Sequence, residues 1–210
     1  MHQGYFITGT DTEIGKTHAA VELIRLHQGQ GKTVLAMKPV ASGCEVLPDG
    51  RWLNDDVARL TAATGQTDLE LMNPYRFLPP VSPHIAAREA GVEIELPRIA
   101  DHYRRLSGQA DIVLVEGAGG WLAPLSDSLF MADLAQALAL PVILVVGMRL
   151  GCINHALLTA RAVRDSGLEL AGWMANCVQP PQAAYAENLD TLRRHIPAPL
   201  LLEIPYRSAD

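Results

Sequence analysis

Lys16 and Thr17 close the stretch GTDTEIGKT (residues 9–17), which follows the apolar YFIT at 5–8 and leads into HAAVELIRL. An ammonium and a hydroxyl placed after glycines, where a helix begins, suit a polyphosphate. Gly9 and Gly15 let the backbone approach an anion closely. The helix N-terminus adds unpaired N–H groups and a positive dipole. Lys16 would reach the β- and γ-phosphates, and the Thr17 hydroxyl would bind Mg²⁺. The usual motif is Gly-x4-Gly-Lys-Ser/Thr; here Thr10 stands at its first position and Gly9 lies one residue earlier. The alternative is an ordinary strand-to-helix turn. Taken alone, the stretch indicates only a nucleoside triphosphate.

Other polar residues close apolar runs. Lys38 stands in KPVASG with Ser42 just beyond, Glu116 precedes the glycines of EGAGG, GMRLGCIN follows another run, and Asn176 ends a fourth. A lysine before a proline is ordinarily a solvated turn residue. Four such ends beside one phosphate loop argue for a shared site. NDD at 54–56 opens a helix, so its acids are either N-terminal caps or Mg²⁺ ligands. Mg²⁺ takes one or two carboxylates and fills its octahedron with water and phosphate. Thr17, Asp56 and Glu116 would supply the protein's share.

The elements that must hold these residues alternate along the chain. Strand-like runs lie at 5–8, 33–40, 111–117, 141–147, 168–178 and 198–205, with helical segments at about 16–28, 54–64, 95–107, 130–139, 154–166 and 182–195. The runs are nearly continuous in apolar residues, as strands covered on both faces are. The expectation is a single α/β domain, a P-loop NTPase-like parallel sheet with helices on both faces and ligands beyond the strands' carboxyl ends. The chain has 210 residues, 49% of them apolar, and a formal charge of −6, which argues against a nucleic-acid surface. The longest apolar run, LPVILVVGM at 140–148, is too short to cross a bilayer, and no signal peptide is expected, since the first apolar run follows MHQG and leads straight into the loop. Three scattered cysteines, Cys44, Cys152 and Cys177, suggest a reduced cytoplasmic protein, and the seven histidines show no zinc-site spacing with them.

The sequence resembles the dethiobiotin synthetase family. GTDTEIGKT, KPVASG, NPYRF, SPHIAA, VEGAGGW, PVILVVG, LGCINHALLTA and GWMAN stand in the family's order and approximate spacing, over residues 5 to about 206. The resemblance implies an ATP- and Mg²⁺-dependent enzyme that carboxylates 7,8-diaminopelargonate with CO₂ and closes the ureido ring of dethiobiotin. By similarity, Lys16 and Lys38 are the catalytic lysines, and Lys38 sits beside the carbamate. The nucleotide would contact Glu13, Ile14, Gly15, Lys16, Thr17, His18, Asp56, Glu116, Gly117, Ala118, Gly119, Asn176, Pro205 and Tyr206. The diamine would meet Thr12, Ser42 and, across a homodimer interface, Gly151, Cys152 and Asn154 of the second copy. Thr17, Asp56 and Glu116 would hold the metal; the resemblance leaves Asp55 or Asp56 for the middle position, and Asp56 is taken here.

Two features depart from the family's pattern. Cys177 follows Asn176 where an acid often stands, and the chain ends at PYRSAD without the short helix that often covers the nucleotide. Both bear on base recognition. Rival readings are a nucleotide-switched partition-type ATPase, an amide-forming ligase and a silent paralogue. The first depends on a second lysine early in the loop, where this chain has only Lys16. The second usually adds a glutaminase domain, for which 210 residues leave no room.

Overall fold

The computed structural model describes residues 3–180 and 183–206. Its first half runs β1 (Gln3–Gly9), α1 (Lys16–Gly29), β2 (Val34–Met37), β3 (Val40–Ala41), β4 (Glu45–Val46), β5 (Trp52–Leu53), α2 (Asp55–Thr64), α3 (Leu69–Met72), β6 (Tyr75–Arg76) and α4 (Pro83–Glu89). The second half runs α5 (Leu96–Ser107), β7 (Ile112–Glu116), α6 (Met131–Leu138), β8 (Val142–Gly147), α7 (Cys152–Asp165), β9 (Leu170–Asn176), α8 (Tyr185–His195) and β10 (Leu200–Ile204).

The six apolar runs become one six-stranded sheet in the order β10-β9-β8-β1-β7-β2, and every pairing in it is parallel. β1 sits between β7 and β8, with Ile7 in register with both Glu116 and Ile143. After β1 the chain builds to one side, and from β8 onward it builds to the other. The carboxyl end of β1 is therefore the switch point where such sheets bind ligands.

Successive residues of a strand point to opposite faces, so the sheet divides the core in two. Phe6, Val113, Val115, Leu144 and Trp173 pack on one face with residues of α5, α6 and α7. Ile7, Leu114, Ile143, Val145 and Met174 pack on the other with Ala20 and Ile24 of α1 and Leu60 of α2. β7 and β8 are buried along their whole length, which is why they read as unbroken apolar runs.

The expected strand at 33–40 is not continuous. β2 stops at Met37, and after Lys38–Pro39 the chain leaves the sheet to pair Val40–Ala41 with Tyr75–Arg76. Pro39 has no N–H to give a sheet ladder, so the break falls where the chemistry requires it. The helix expected from 154 begins at Cys152, and the one expected at 182–195 is seen over Tyr185–His195, residue 182 lying outside the described residues. Helices α3 and α4 and the β4–β5 hairpin had no counterpart in the sequence reading. Among the described residues no helix is long and apolar enough to cross a membrane.

Candidate active site

The loop after β1 is held by what surrounds it. Gly15 has φ 74°, and a Cβ there would run into the Asn176 amide, so the position requires glycine on both counts. Ile14 is buried and packs where Gly147 leaves room for it. The Ile14 carbonyl accepts from Asn176 Nδ2 at 2.7 Å, which ties the loop to the end of β9. Lys16 Nζ donates to the Asp11 carbonyl at 2.8 Å. The Asp11 carboxylate accepts from the Thr12 N–H at 2.8 Å and from Arg149 Nη2 at 2.6 Å. Burial first, and then the nearby Lys38 ammonium, pull the Lys16 pKa down to about 8.

Lys38 stands just past the end of β2 and is 4% exposed. Its ammonium donates to Asp56 Oδ2 at 2.7 Å and to Glu116 Oε1 at 2.5 Å. Burial works against its charge, but Glu116 and Asp56 outweigh it and raise its pKa above the ordinary lysine value. The Asp56 carboxyl is pushed up by burial and held below its usual range by Lys38. Thr17 Oγ1 donates to Glu116 Oε1 at 2.7 Å. The other carboxylate oxygen of Glu116, Oε2, is buried and has no partner.

Local sequence explains the placement of Asp56. Asn54 caps α2 by accepting the Asp56 N–H at 2.9 Å, and it donates to the Ser42 carbonyl at 2.9 Å. That single side chain joins the helix start to the loop carrying Ser42. Asp55 lies instead beside Gly43, Leu53 and Ala58, away from Lys38.

A cavity of about 400 Å³ gathers Thr12, Glu13, Gly15, Lys16, Thr17, Lys38, Ser42, Asp56, Glu116, Ala118 and Gly119 from four separate parts of the chain. Gly117 borders it, its carbonyl 3.5 Å from Lys38 Nζ. Arg59, one turn beyond Asp56 on α2, also lines it and was not singled out from sequence; Asn54, read there only as part of a helix start, lines it too. Nor were Asp11 and Arg149; an acid inside GTDTEIGKT and an arginine after β8 were signals available for pairing. A larger cavity of about 680 Å³ lies between the β4–β5 hairpin, α3 and α5, lined by Trp52, Tyr75 and Arg98 among others. It contains neither the phosphate loop nor the paired carboxylates, so size does not make it the reaction site.

The remaining sequence candidates lie elsewhere. Ile14 and Asn176 are behind the loop, and Asn176 Oδ1 is buried without a partner. His18 is on the first turn of α1, and Pro205 and Tyr206 follow β10. The Cys177 thiol packs in the core beside the Tyr185 hydroxyl. Gly151, Cys152 and Asn154 form the start of α7, outside the cavity; Cys152 is buried and Asn154 exposed.

A family model described as an AAA domain matches residues 3–209. ATP-dependent dethiobiotin synthetase BioD of Aromatoleum aromaticum is 52% identical over 205 residues, 97% of this chain and 91% of its own length. The chain belongs to the dethiobiotin synthetase family. Another synthetase of the family, from Escherichia coli K12, is 50% identical over 206 residues, 98% of this chain and 92% of that one. Membership makes the chain an ATP-dependent ligase of biotin synthesis, with ATP as co-substrate. A ParA family ATPase from Chlorobium tepidum superposes with a TM-score of 0.58 at 16% identity, over 99% of this chain and 86% of that one. Chloroplast FtsY from Physcomitrella patens gives 0.56 at 16%, over 99% and 62%. At such identities the likeness concerns the fold alone, the P-loop NTPase-like parallel sheet flanked by helices.

Proposed function

We propose that this chain converts 7,8-diaminopelargonate, CO₂ and ATP into dethiobiotin, ADP and phosphate, with Mg²⁺ as cofactor. The observation that carries the reading is the buried Lys38 ammonium between Asp56 and Glu116, in one cavity with Lys16 of the phosphate loop.

One neutral amine of the diamine adds to CO₂ and loses a proton, leaving a carbamate. A carbamate oxygen attacks the γ-phosphorus, the bond to ADP breaks, and a carbamic–phosphoric anhydride results. The second amine attacks its carbonyl carbon, phosphate leaves, and the lost proton completes the ureido ring. Phosphoryl transfer needs positioning and charge neutralisation more than covalent help. Lys16 neutralises the γ-phosphate and Lys38 the attacking carbamate. Cations around the diamine disfavour its protonated form, which cannot attack. Thr12 and Ser42, both on the cavity wall, orient the amines by hydrogen bonds.

The oxygen-only set of Thr17, Asp56 and Glu116 fits Mg²⁺, and Glu116 Oε2, a buried acceptor with no hydrogen-bond partner among the described residues, is an oxygen that would hold it. When bound there, the metal neutralises phosphate charge. Lys38 donates to the same two carboxylates and would offer its ammonium to the carbamate from that position. Glu13, Ile14, Gly15, His18, Gly117, Ala118 and Gly119 complete the nucleotide's phosphate and ribose surroundings. Asn176, Pro205 and Tyr206 meet its base.

We further infer a homodimer. Leu150 is 91% exposed and Leu158 62%, four residues before and four after the exposed Asn154. Gly151, Cys152 and Asn154 then bind the diamine's carboxylate in the partner's site, where the positive end of the α7 dipole favours an anion. The three cysteines are buried and none is in a disulfide among the described residues, which suits a reducing cytoplasm.

The test is direct. The protein is incubated with diaminopelargonate, bicarbonate, Mg²⁺ and ATP, and dethiobiotin is sought by mass spectrometry. Lys38→Met is expected to cost at least ~100-fold in turnover, the scale for a well-placed charged donor. Phosphate release that ignores the diamine would favour a nucleotide switch instead. No product and no phosphate release from folded protein would indicate a silent paralogue.

A further inference from the structure

Asn73 is wholly buried, 0% exposed, at the end of α3. Its Nδ2 donates to the Lys38 carbonyl at 2.5 Å and to the Tyr75 carbonyl at 3.2 Å. The preceding residue grips Lys38 from its other side, since the Lys38 N–H donates to the Met72 carbonyl at 3.0 Å. Both backbone groups of Lys38 are thus held by two consecutive residues, Met72 and Asn73.

This clamp sits where the sheet can no longer do the work. β2 ends at Met37 and Pro39 contributes no N–H, so Lys38 lies in the gap between two ladders. β3 and β6 resume pairing at Val40 and Tyr75, and the Asn73 amide spans the junction between Lys38 and Tyr75. The opposite oxygen, Asn73 Oδ1, is buried without a partner. An unpaired buried acceptor is costly, and an apolar residue in the same space would avoid that cost. The amide's two donated bonds are what an apolar residue could not replace.

We propose that Asn73 is the positioning residue for the catalytic ammonium: its amide fixes the Lys38 backbone, and through it the point from which Nζ reaches the carbamate. The inference rests on the role given to Lys38 above. Displacing a reacting group by about an ångström costs up to ~100-fold in rate. The phosphate loop is made by other elements, so nucleotide binding does not depend on the clamp.

A double-mutant cycle in the full-length protein tests this. Asn73→Ala is expected to lower kcat about 10- to 100-fold and to leave KM for ATP and direct ATP binding within about twofold of wild type. Asn73→Ser, with one hydroxyl donor, should fall between. In the Lys38→Met background, Asn73→Ala should lower kcat no further, because its effect passes through Lys38. Wild-type kcat in folded Asn73→Ala overturns the proposal. So does an equal proportional loss in both backgrounds, or a loss confined to KM for ATP. Failure of both Asn73→Ala and Asn73→Ser to fold also overturns it, since the residue would then serve the fold and not the lysine. Near-normal turnover in Lys38→Met alone removes the role of Lys38 itself and is seen before any Asn73 variant is compared.

Discussion

The Lys16 ammonium is buried and, among the described residues, has only a neutral carbonyl, Asp11 O, as its hydrogen-bond partner. Its pKa of about 8 follows from burial and from repulsion by Lys38. A bound triphosphate brings several negative charges to it and must raise that value. The nucleotide complex therefore binds a proton that free protein lacks once the pH passes about 8. Affinity for ATP, measured calorimetrically without diamine, is expected to be flat below that pH and to weaken by up to ~10-fold per pH unit above it. The heat should also depend on the buffer's ionisation enthalpy above pH 8 and not at pH 7. A Kd that stays constant to pH 9.5 would mean that free Lys16 keeps an ordinary lysine's proton affinity. The residue types of this site were legible, because glycines, Lys16 and Thr17 fall close together. The burial of Lys38 was not: its carboxylates are 18 and 78 positions away, and only the fold brings them to 2.7 and 2.5 Å.

At the scale of elements, the phosphate loop and the end of β9 depend on each other. Gly15→Ala would place a Cβ against the Asn176 amide and force a side chain into the left-handed region. The strain alone is worth about 1–3 kcal/mol. The variant should unfold at lower denaturant and bind ATP at least ~10-fold more weakly, because Asn176 can no longer hold the Ile14 carbonyl without shifting. Unchanged unfolding and unchanged ATP titration would show that the loop moves freely of β9. The central strands were legible because burial on both faces leaves a mark that needs no partner to be known. β3, β6 and α3 left no such mark. They are two to four residues long, too short for either period, and tertiary pairing makes them. Asn54 capping α2 was readable as a local pattern; Asn73 clamping Lys38 was not, since its partners come from another part of the chain.

At the scale of the whole molecule, the proposed site needs residues from two copies. Lys16→Ala and Asn154→Ala should each be inactive or impaired alone. A heterodimer of the two has one site with both lesions and one with neither. Mixing is therefore expected to restore activity toward half of wild type, read by initial rate after heterodimers are verified by native mass spectrometry. Verified heterodimers with no recovered rate would mean that Lys16 and Asn154 serve the same subunit's site. A different demand comes from the position of β1 in the sheet. β1 is flanked by β7 and β8, both made after it, and Gln3 must wait for Ile112. At roughly 5–20 residues per second, the ribosome takes about 5–20 s to deliver that partner after β1 is complete. Throughout that interval Phe6 and Ile7, both fully covered in the finished fold, have no sheet to enter. For that interval β1 is an apolar strand without a ladder, and translation speed through residues 10–112 sets how long the interval lasts.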